Sequence, residues 1–340
     1  MLDRILFGPS LVARKNLQTR SQAMNKSRRR PLVEVLEGRQ LLTASLGNLT
    51  NITAPAQIGY QVPLDGSGNA NGVQNYTVTS SNPAIAASIA QGSFWTLNVQ
   101  HTASSDPGDI SFAGALTFQL FNDLMPNTVQ QITNFTNDGW YNGKDFTRIA
   151  NNFPGTTDYI AQGGAANADG TGTTPYPNFA DEFVQQLAFT NSGQLAMANA
   201  GANTNNTQFF VTTAAPTFLD YKHTVFGQLV AGADILGQMT QVSKQANPAL
   251  GGEVSQPVSP IVINSAVMSS TNVNGVVHID TSRARVGDTA TITVTATDPI
   301  DGSTTTDTFL VTVGAYTGSS NPPINFAPFA NPVSANTSQN

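Results

Sequence analysis

Residues 195–210 read LAMANAGANTNNTQFF, and how they are understood decides how the rest of the chain is read. The stretch opens on small apolar residues, passes through an Asn/Gly/Thr loop and closes on Gln208, Phe209 and Phe210. Gly, Asn and Thr supply turn backbone, and paired Phe suit a pleated, half-buried surface, so the segment reads as strand, polar loop and strand. Neighbouring side chains of a strand point to opposite faces, so Phe209 and Phe210 cannot share one core. One fills an interior and the other is placed to floor a pocket beside Gln208. An ordinary hairpin with an aromatic core pair would satisfy the same residues.

Further motifs frame this stretch. Upstream stand Phe146-Thr147-Arg148-Ile149 and Tyr159-Ile160-Ala161-Gln162-Gly163-Gly164. Downstream stands Phe218-Leu219-Asp220-Tyr221-Lys222-His223-Thr224-Val225-Phe226-Gly227. In this order the motifs resemble those of the cyclophilins, the family of peptidyl-prolyl cis-trans isomerases, whose patterns are F-H-R-x, F-x-x-Q-G-G and W-L-D-x-x-H-x-V-F-G around the central signature. The resemblance covers roughly residues 108–244. It implies a mainly β fold, an eight-stranded closed antiparallel barrel with two helices, filled by side chains so that any pocket lies on its outer face. Local patterns accord with it. Residues 116–121 alternate as a strand; Pro126 suits a helix N1 position, with Val129, Ile132 and Phe135 as an apolar stripe up to Gly139. A second short helix is expected around 234–239.

Rotation about an X–Pro bond meets a barrier of ~18–20 kcal/mol because amide resonance must be broken. The reaction needs no nucleophile, proton transfer, metal or cofactor. An enzyme has to hold the ring, exclude water and favour the twisted state, in which the nitrogen becomes pyramidal and basic. A fixed guanidinium that donates to that nitrogen lowers the barrier, because the bond is gained only in the twisted state. The resemblance gives this role to Arg148, with Gln162 bracing it. It implies a proline pocket lined by Tyr159, Ile160, Phe210, Phe218 and Leu219. Ala198, Asn199 and Gln208, with Gln162, would bind substrate backbone, and His223 would sit at the rim. Taken singly, the arginine reads as a surface ion pair and each apolar residue as plain core. His223 is one of three histidines and the only one within these motifs, and a single His in a chain without cysteine builds no metal site there.

The chain departs from the family pattern in several places. Thr147 stands for the usual His, Tyr159 for Phe, and Ala165 for an acid. Residues 150–158 (ANNFPGTTD) form a longer connection than the family's. Phe218 replaces the usual Trp, which implies weak cyclosporin binding while a smaller aromatic still covers the proline.

The 340 residues suffice for more than one domain, and only 11% are charged. Nine of the 15 Lys+Arg fall within residues 1–44, leaving 6 basic and 18 acidic residues beyond, a net −12. Nucleic-acid binding by that remainder is not expected, since phosphate contacts need clustered cations. Arg28-Arg29-Arg30-Pro31 followed by VEVLEGRQLLTA (residues 33–44) resembles the leader of planctomycete exported proteins, so residues 1–45 read as a targeting segment; a plain disordered basic tail is the alternative. No apolar run is long enough to span a membrane. The expected location is outside the cytoplasm of a bacterium: periplasmic, cell-surface or extracellular.

Residues 46–106 and 265–314 carry further β patterns, among them 76–79, 94–99, 276–279, 289–297 and 307–313. Neither part alone can pair its edges or bury both faces. Joined, they resemble one immunoglobulin- or cadherin-like β-sandwich, split by an isomerase domain over 107–245; two independent flanking modules remain the alternative. Residues 246–264 read as a linker and 315–340 as a disordered tail. Calcium at Asp298, Asp301 and Asp307 is conceivable by analogy with such repeats, although acids in a turn are usually a solvated loop. The functional expectation is an exported, monomeric isomerase acting on proline-containing peptides or unfolded proteins. A non-catalytic Pro-peptide-binding or structural surface module is the competing reading.

Overall fold

Phe209 and Phe210 separate the inside of the molecule from its outer wall. Phe209 is fully buried edge-on to Trp95 (4.9 Å), Phe146 (5.6 Å) and Tyr141 (5.7 Å). Phe210 turns the other way, stacked on Phe189 at 5.7 Å and edge-on to His223 at 5.4 Å. The structure is a computed structural model that describes residues 43–150 and 160–318. The leader up to residue 42, Tyr159 with nearly all of the 150–158 connection, and residues 319–340 lie outside the described residues.

In chain order the first strands are β1 (Ile52–Pro55), β2 (Gly59–Leu64), β3 (Asn75–Ser80), β4 (Ala86–Ile89), β5 (Phe94–His101) and β6 (Phe112–Leu120). Helix α1 (Pro126–Asn137) leads to β7 (Lys144–Ala150), β8 (Ile160–Gly163), β9 (Gln194–Met197), β10 (Phe209–Thr212) and β11 (Val225–Ala231). After α2 (Ala233–Met239) come β12 (Lys244–Asn247), β13 (Glu253–Pro257), β14 (Ile261–Ser269), β15 (Gly275–Asp280), β16 (Thr289–Thr297) and β17 (Thr304–Gly314).

Eight strands close a barrel in the order β10-β8-β7-β14-β5-β6-β11-β9. Every pairing around it is antiparallel. Pro126 occupies the start of α1, and Val129, Ile132 and Phe135 are buried against the barrel. The helix has no side-chain cap of its own. Glu182 serves instead, accepting from the backbone N–H of Asn127 (3.2 Å) and of Thr128 (2.6 Å), where a negative charge is favoured.

The barrel takes more of the chain than residues 107–245. Residues 94–99, expected in the flanking sandwich, lie in β5, which pairs along its whole length with β6 on one side and β14 on the other. Residues 246–264 are not a linker: they hold most of the β12–β13 ribbon and the start of β14, and residues 265–269 complete that barrel strand. The physical reason is Trp95, fully buried against Phe118 and Tyr141, which only a barrel strand can deliver to that interior.

The remaining strands form a four-stranded sheet, β1-β17-β16-β3, and a three-stranded sheet, β2-β15-β4, so each sheet takes strands from both sides of the barrel sequence. The sheets share an apolar core containing Val62, Leu64, Val277, Ile279, Ile292, Val294, Phe309 and Val311. In β16 the small and β-branched residues alternate between that core and the surface, as a half-buried strand requires. Asp298 and Asp301 cap turns, accepting from the N–H of Ile300 and of Ser303, and Asp307 accepts from Leu49 N–H. Among the described residues no group of three or more His, Cys, Asp or Glu could hold a metal ion.

Barrel and sheets are joined by buried polar bonds. Gln194 Nε2 donates to Gln61 Oε1 (3.0 Å), and Asn274 Nδ2 donates to the Val230 carbonyl (3.2 Å). His278 on β15 stands edge-on to Phe121 at 4.6 Å. Neither of its ring nitrogens has a hydrogen-bond partner among the described residues, and burial pushes its pKa down from 6.5 to about 4. Because the folded value is depressed, the unfolded chain takes up the proton first. Stability is therefore fully present above pH 6.5 and falls as the pH drops from there toward 4. Between pH 7 and pH 5, His278 is expected to remove roughly 2 kcal/mol of stability. Urea unfolding of wild type and His278→Leu at both pH values checks this, the variant lacking that part of the acid loss; an equal loss in both would contradict it.

Candidate active site

A bulge in β7 decides where Arg148 points. Phe146 pairs with Gly163 and Arg148 with Gln162, with a register shift between them. In an unbroken strand residues two apart share a face. The extra residue, buried Thr147, puts Phe146 in the barrel core and Arg148 on the outer wall. Gln162 is flanked on its other side by Phe210, and Phe210 by Ala196. Arg148, Gln162 and Phe210 thus stand side by side on the adjacent strands β7, β8 and β10.

The glycines beside this row make room for the core. A Cβ on Gly163 would come within 3.2 Å of the Phe146 ring. Gly164 has φ of 85°, and a Cβ there would lie 2.5 Å from the Thr207 carbonyl oxygen, which no side chain can accept.

A chain of hydrogen bonds runs along the wall. Arg148 Nη1 donates to Gln162 Oε1 (3.2 Å), Gln162 Nε2 donates to Gln208 Oε1 (3.0 Å), and Gln208 Nε2 donates to the Gly170 carbonyl (3.4 Å). The other edge of the guanidinium meets Glu253. Nε donates to its Oε1 at 2.8 Å and Nη2 to its Oε2 at 2.9 Å. These bonds hold the Glu253 carboxyl below its ordinary value of 4.5. Sequence reasoning missed Glu253 because it lies in the segment read as a linker. The available signal was that it is the single acid between Asp234 and Asp280.

Gln162, Ala198, Asn199 and Gln208 come together in one groove of about 480 Å³, whose walls also include Thr174, Tyr176 and Asn206. Asn199 is held there by donating from Nδ2 to the Lys222 carbonyl at 2.8 Å. The other expected residues lie outside that groove. Ile160 is buried on β8, two residues from Gln162 and so on the same strand face. Phe210 and His223 pack together, His223 Nδ1 donating to the Met197 carbonyl at 3.0 Å. Burial is the main cause that pushes the His223 pKa below its ordinary 6.5. Leu219 is half-buried and Phe218 is 39% exposed, both on the short 3-10 turn Thr217–Leu219. Tyr159 lies outside the described residues.

That turn is tied to the end of β17. Buried Asp220 accepts from the Phe189 N–H (2.7 Å) and from the Tyr316 hydroxyl, and burial raises its pKa to about 6. No motif in the sequence links Tyr316 to this turn.

The arrangement offers a guanidinium, a floor of aromatic rings and a polar groove lined by side-chain amides. It holds no nucleophile–base pair among the described residues named here. Comparison with known proteins agrees with the geometry. Residues 108–268 match the model of the cyclophilin type peptidyl-prolyl cis-trans isomerase/CLD family. The chain is 33% identical over 156 residues to the peptidyl-prolyl cis-trans isomerase ppi1 of Schizosaccharomyces pombe, covering 45% of this chain and 92% of that protein. It is 37% identical over 139 residues to the peptidyl-prolyl cis-trans isomerase-like 1 of Rhizopus delemar, covering 40% of this chain and 81% of the relative. For the protein of that name from Mus musculus the identity is 36% over 139 residues, covering 40% of this chain and 80% of the relative. With the closed barrel, its two helices and these relatives in hand, the chain belongs to the cyclophilin-type peptidyl-prolyl cis-trans isomerases.

Proposed function

We propose that the row Arg148–Gln162–Phe210 is the isomerisation site for X–Pro bonds, and that the protein assists folding outside the cytoplasm. The observation that carries the reading is the placement of these side chains next to one another on β7, β8 and β10. The proline ring rests against the aromatic side, over Phe210 and among Ile160, Leu219 and Phe218; Tyr159, given to this pocket by the motif resemblance, lies outside the described residues. His223 closes the rim. Substrate backbone lies along Gln162, Ala198, Asn199 and Gln208. Arg148 donates to the imide nitrogen as it becomes pyramidal, a bond absent in the planar ground state and therefore one that lowers the barrier. Gln162 braces the guanidinium through the 3.2 Å bond from Nη1.

The substrates in this reading are proline-containing peptides or unfolded proteins, met by a monomer that does not bind nucleic acid. Support for the location comes from the basic leader-like segment, and the net −12 of the remainder speaks against nucleic-acid binding. No helix among the described residues is long and apolar enough to cross a membrane. A second reading, Pro-peptide binding without turnover, draws on the carboxylate that grips Arg148.

A coupled assay on an X–Pro peptide separates the two. Arg148→Ala is expected to lower kcat by ~10²-fold or more while leaving the thermal midpoint nearly unchanged, and Arg148→Lys to recover little, since a point charge does not replace a planar fork. A wild type with no rate above background would leave only the binding module. For the location, residues 1–45 fused to a reporter that works only outside the cytoplasm are expected to give a signal in a planctomycete host; a reporter retained inside would overturn it.

A further inference from the structure

A guanidinium presents its donors along fixed edges of a plane, so whatever holds one edge chooses which nitrogen faces a substrate. In this protein two edges are held by different elements. Glu253 accepts from Nε at 2.8 Å and from Nη2 at 2.9 Å, a two-pronged pair that fixes the plane as well as the position. On the other side, Nη1 donates to Gln162, which lines the groove.

Glu253 reaches Arg148 because the β12–β13 ribbon is itself anchored. Asn247, opposite Glu253 in the ribbon register, is fully buried and donates from Nδ2 to the Asp169 carbonyl at 2.8 Å. Gln256 Nε2 donates to the Ala168 carbonyl at 3.1 Å. β13 carries a register shift at Ser255, and burial along it places Ser255 and Pro257 inside, Glu253 half-buried and Val254, 63% exposed, outside. The carboxylate faces β7, where its two oxygens meet Arg148.

The pair adds little stability. Its side chains are 21% and 35% exposed, and ion pairs open to water contribute ~0–1 kcal/mol. Its consequence is orientation. Resting on the reading of Arg148 given under Proposed function, we infer that Glu253 is a positioning residue for the isomerase reaction. By gripping Nε and Nη2 it sets the guanidinium plane so that Nη1, the nitrogen beside Gln162, is the one presented to the imide nitrogen.

The test uses the full chain and two substitutions. Glu253→Gln keeps the shape but turns one acceptor into a donor facing the guanidinium. Glu253→Asp keeps the charge but withdraws it by one methylene. Turnover of an X–Pro peptide followed by NMR exchange, without a coupling protease, gives kcat and KM separately. Both variants are expected to lose about tenfold in kcat, ~1.4 kcal/mol of barrier, with KM within about twofold. A second readout does not depend on turnover. The Nε–H signal of Arg148, assigned by its loss in Arg148→Lys, is expected to exchange slowly in wild type and to broaden into solvent exchange in Glu253→Gln.

Unchanged kcat in both variants overturns the proposal, as does full activity of Glu253→Asp, which would leave charge alone as the requirement. A rise in kcat overturns it in favour of an inhibitory grip. An Nε–H signal indifferent to Glu253→Gln overturns it even if either variant is poorly folded for kinetics. A wild type without activity sinks the isomerase reading itself and the positioning role with it; an active wild type with unaltered variants sinks only the role of Glu253.

Discussion

A barrel closed by eight strands buries Trp95, Phe118, Phe146 and Phe209 in its interior, and Arg148, Gln162 and Phe210 stand in a row on its outer wall. That division makes the facing of each wall residue decisive. The bulge at Thr147 is the device that resolves it: two residues that strand periodicity would place on one face, Phe146 and Arg148, are sent to opposite sides. The interior keeps its aromatic packing and the wall gains a cation. The paired glycines play the complementary part, letting the rings of Phe146 and Phe209 meet where any side chain would intrude.

Much of this was legible in the residues. The Phe209–Phe210 alternation, the apolar stripe of α1 and the period of β16 are local properties, and local properties survive into the fold. The row of Arg148, Gln162 and Phe210 was reached through motif resemblance rather than through periodicity, since nothing short-range says that these strands are neighbours. What escaped was non-local. β5 and β14 alternate like any half-buried strand, and their membership of the barrel is decided by what Trp95 and Ile263 pack against, which spacing does not encode. The bulge is one residue of register in one pairing. Glu253 sits among Pro and Gly that read as connection, yet the ribbon gives it a fixed facing.

The wall is also electrically economical. Glu253, Arg148, Gln162 and Gln208 form one line in which each donor edge meets an acceptor. Such chains polarise along their length and resist rearrangement more than isolated bonds do. At the groove end the line is made of the uncharged amides of Gln162 and Gln208. Beyond the groove, Asp220 and the Tyr316 hydroxyl connect the pocket turn to the end of β17, so the flanking sheets and the aromatic wall share a polar contact.

The pairing of β5 with β14, Phe94 opposite Ser269, also governs the order of assembly on the ribosome. The first strand of the barrel leaves the exit tunnel long before its partner exists, and β1 to β4 wait longer still for β15 to β17. Loop closure over such separations is slow, and unpaired strand edges are sticky while they wait. A nascent chain of this architecture can close neither its barrel nor its flanking core until β14 to β17 have been synthesised.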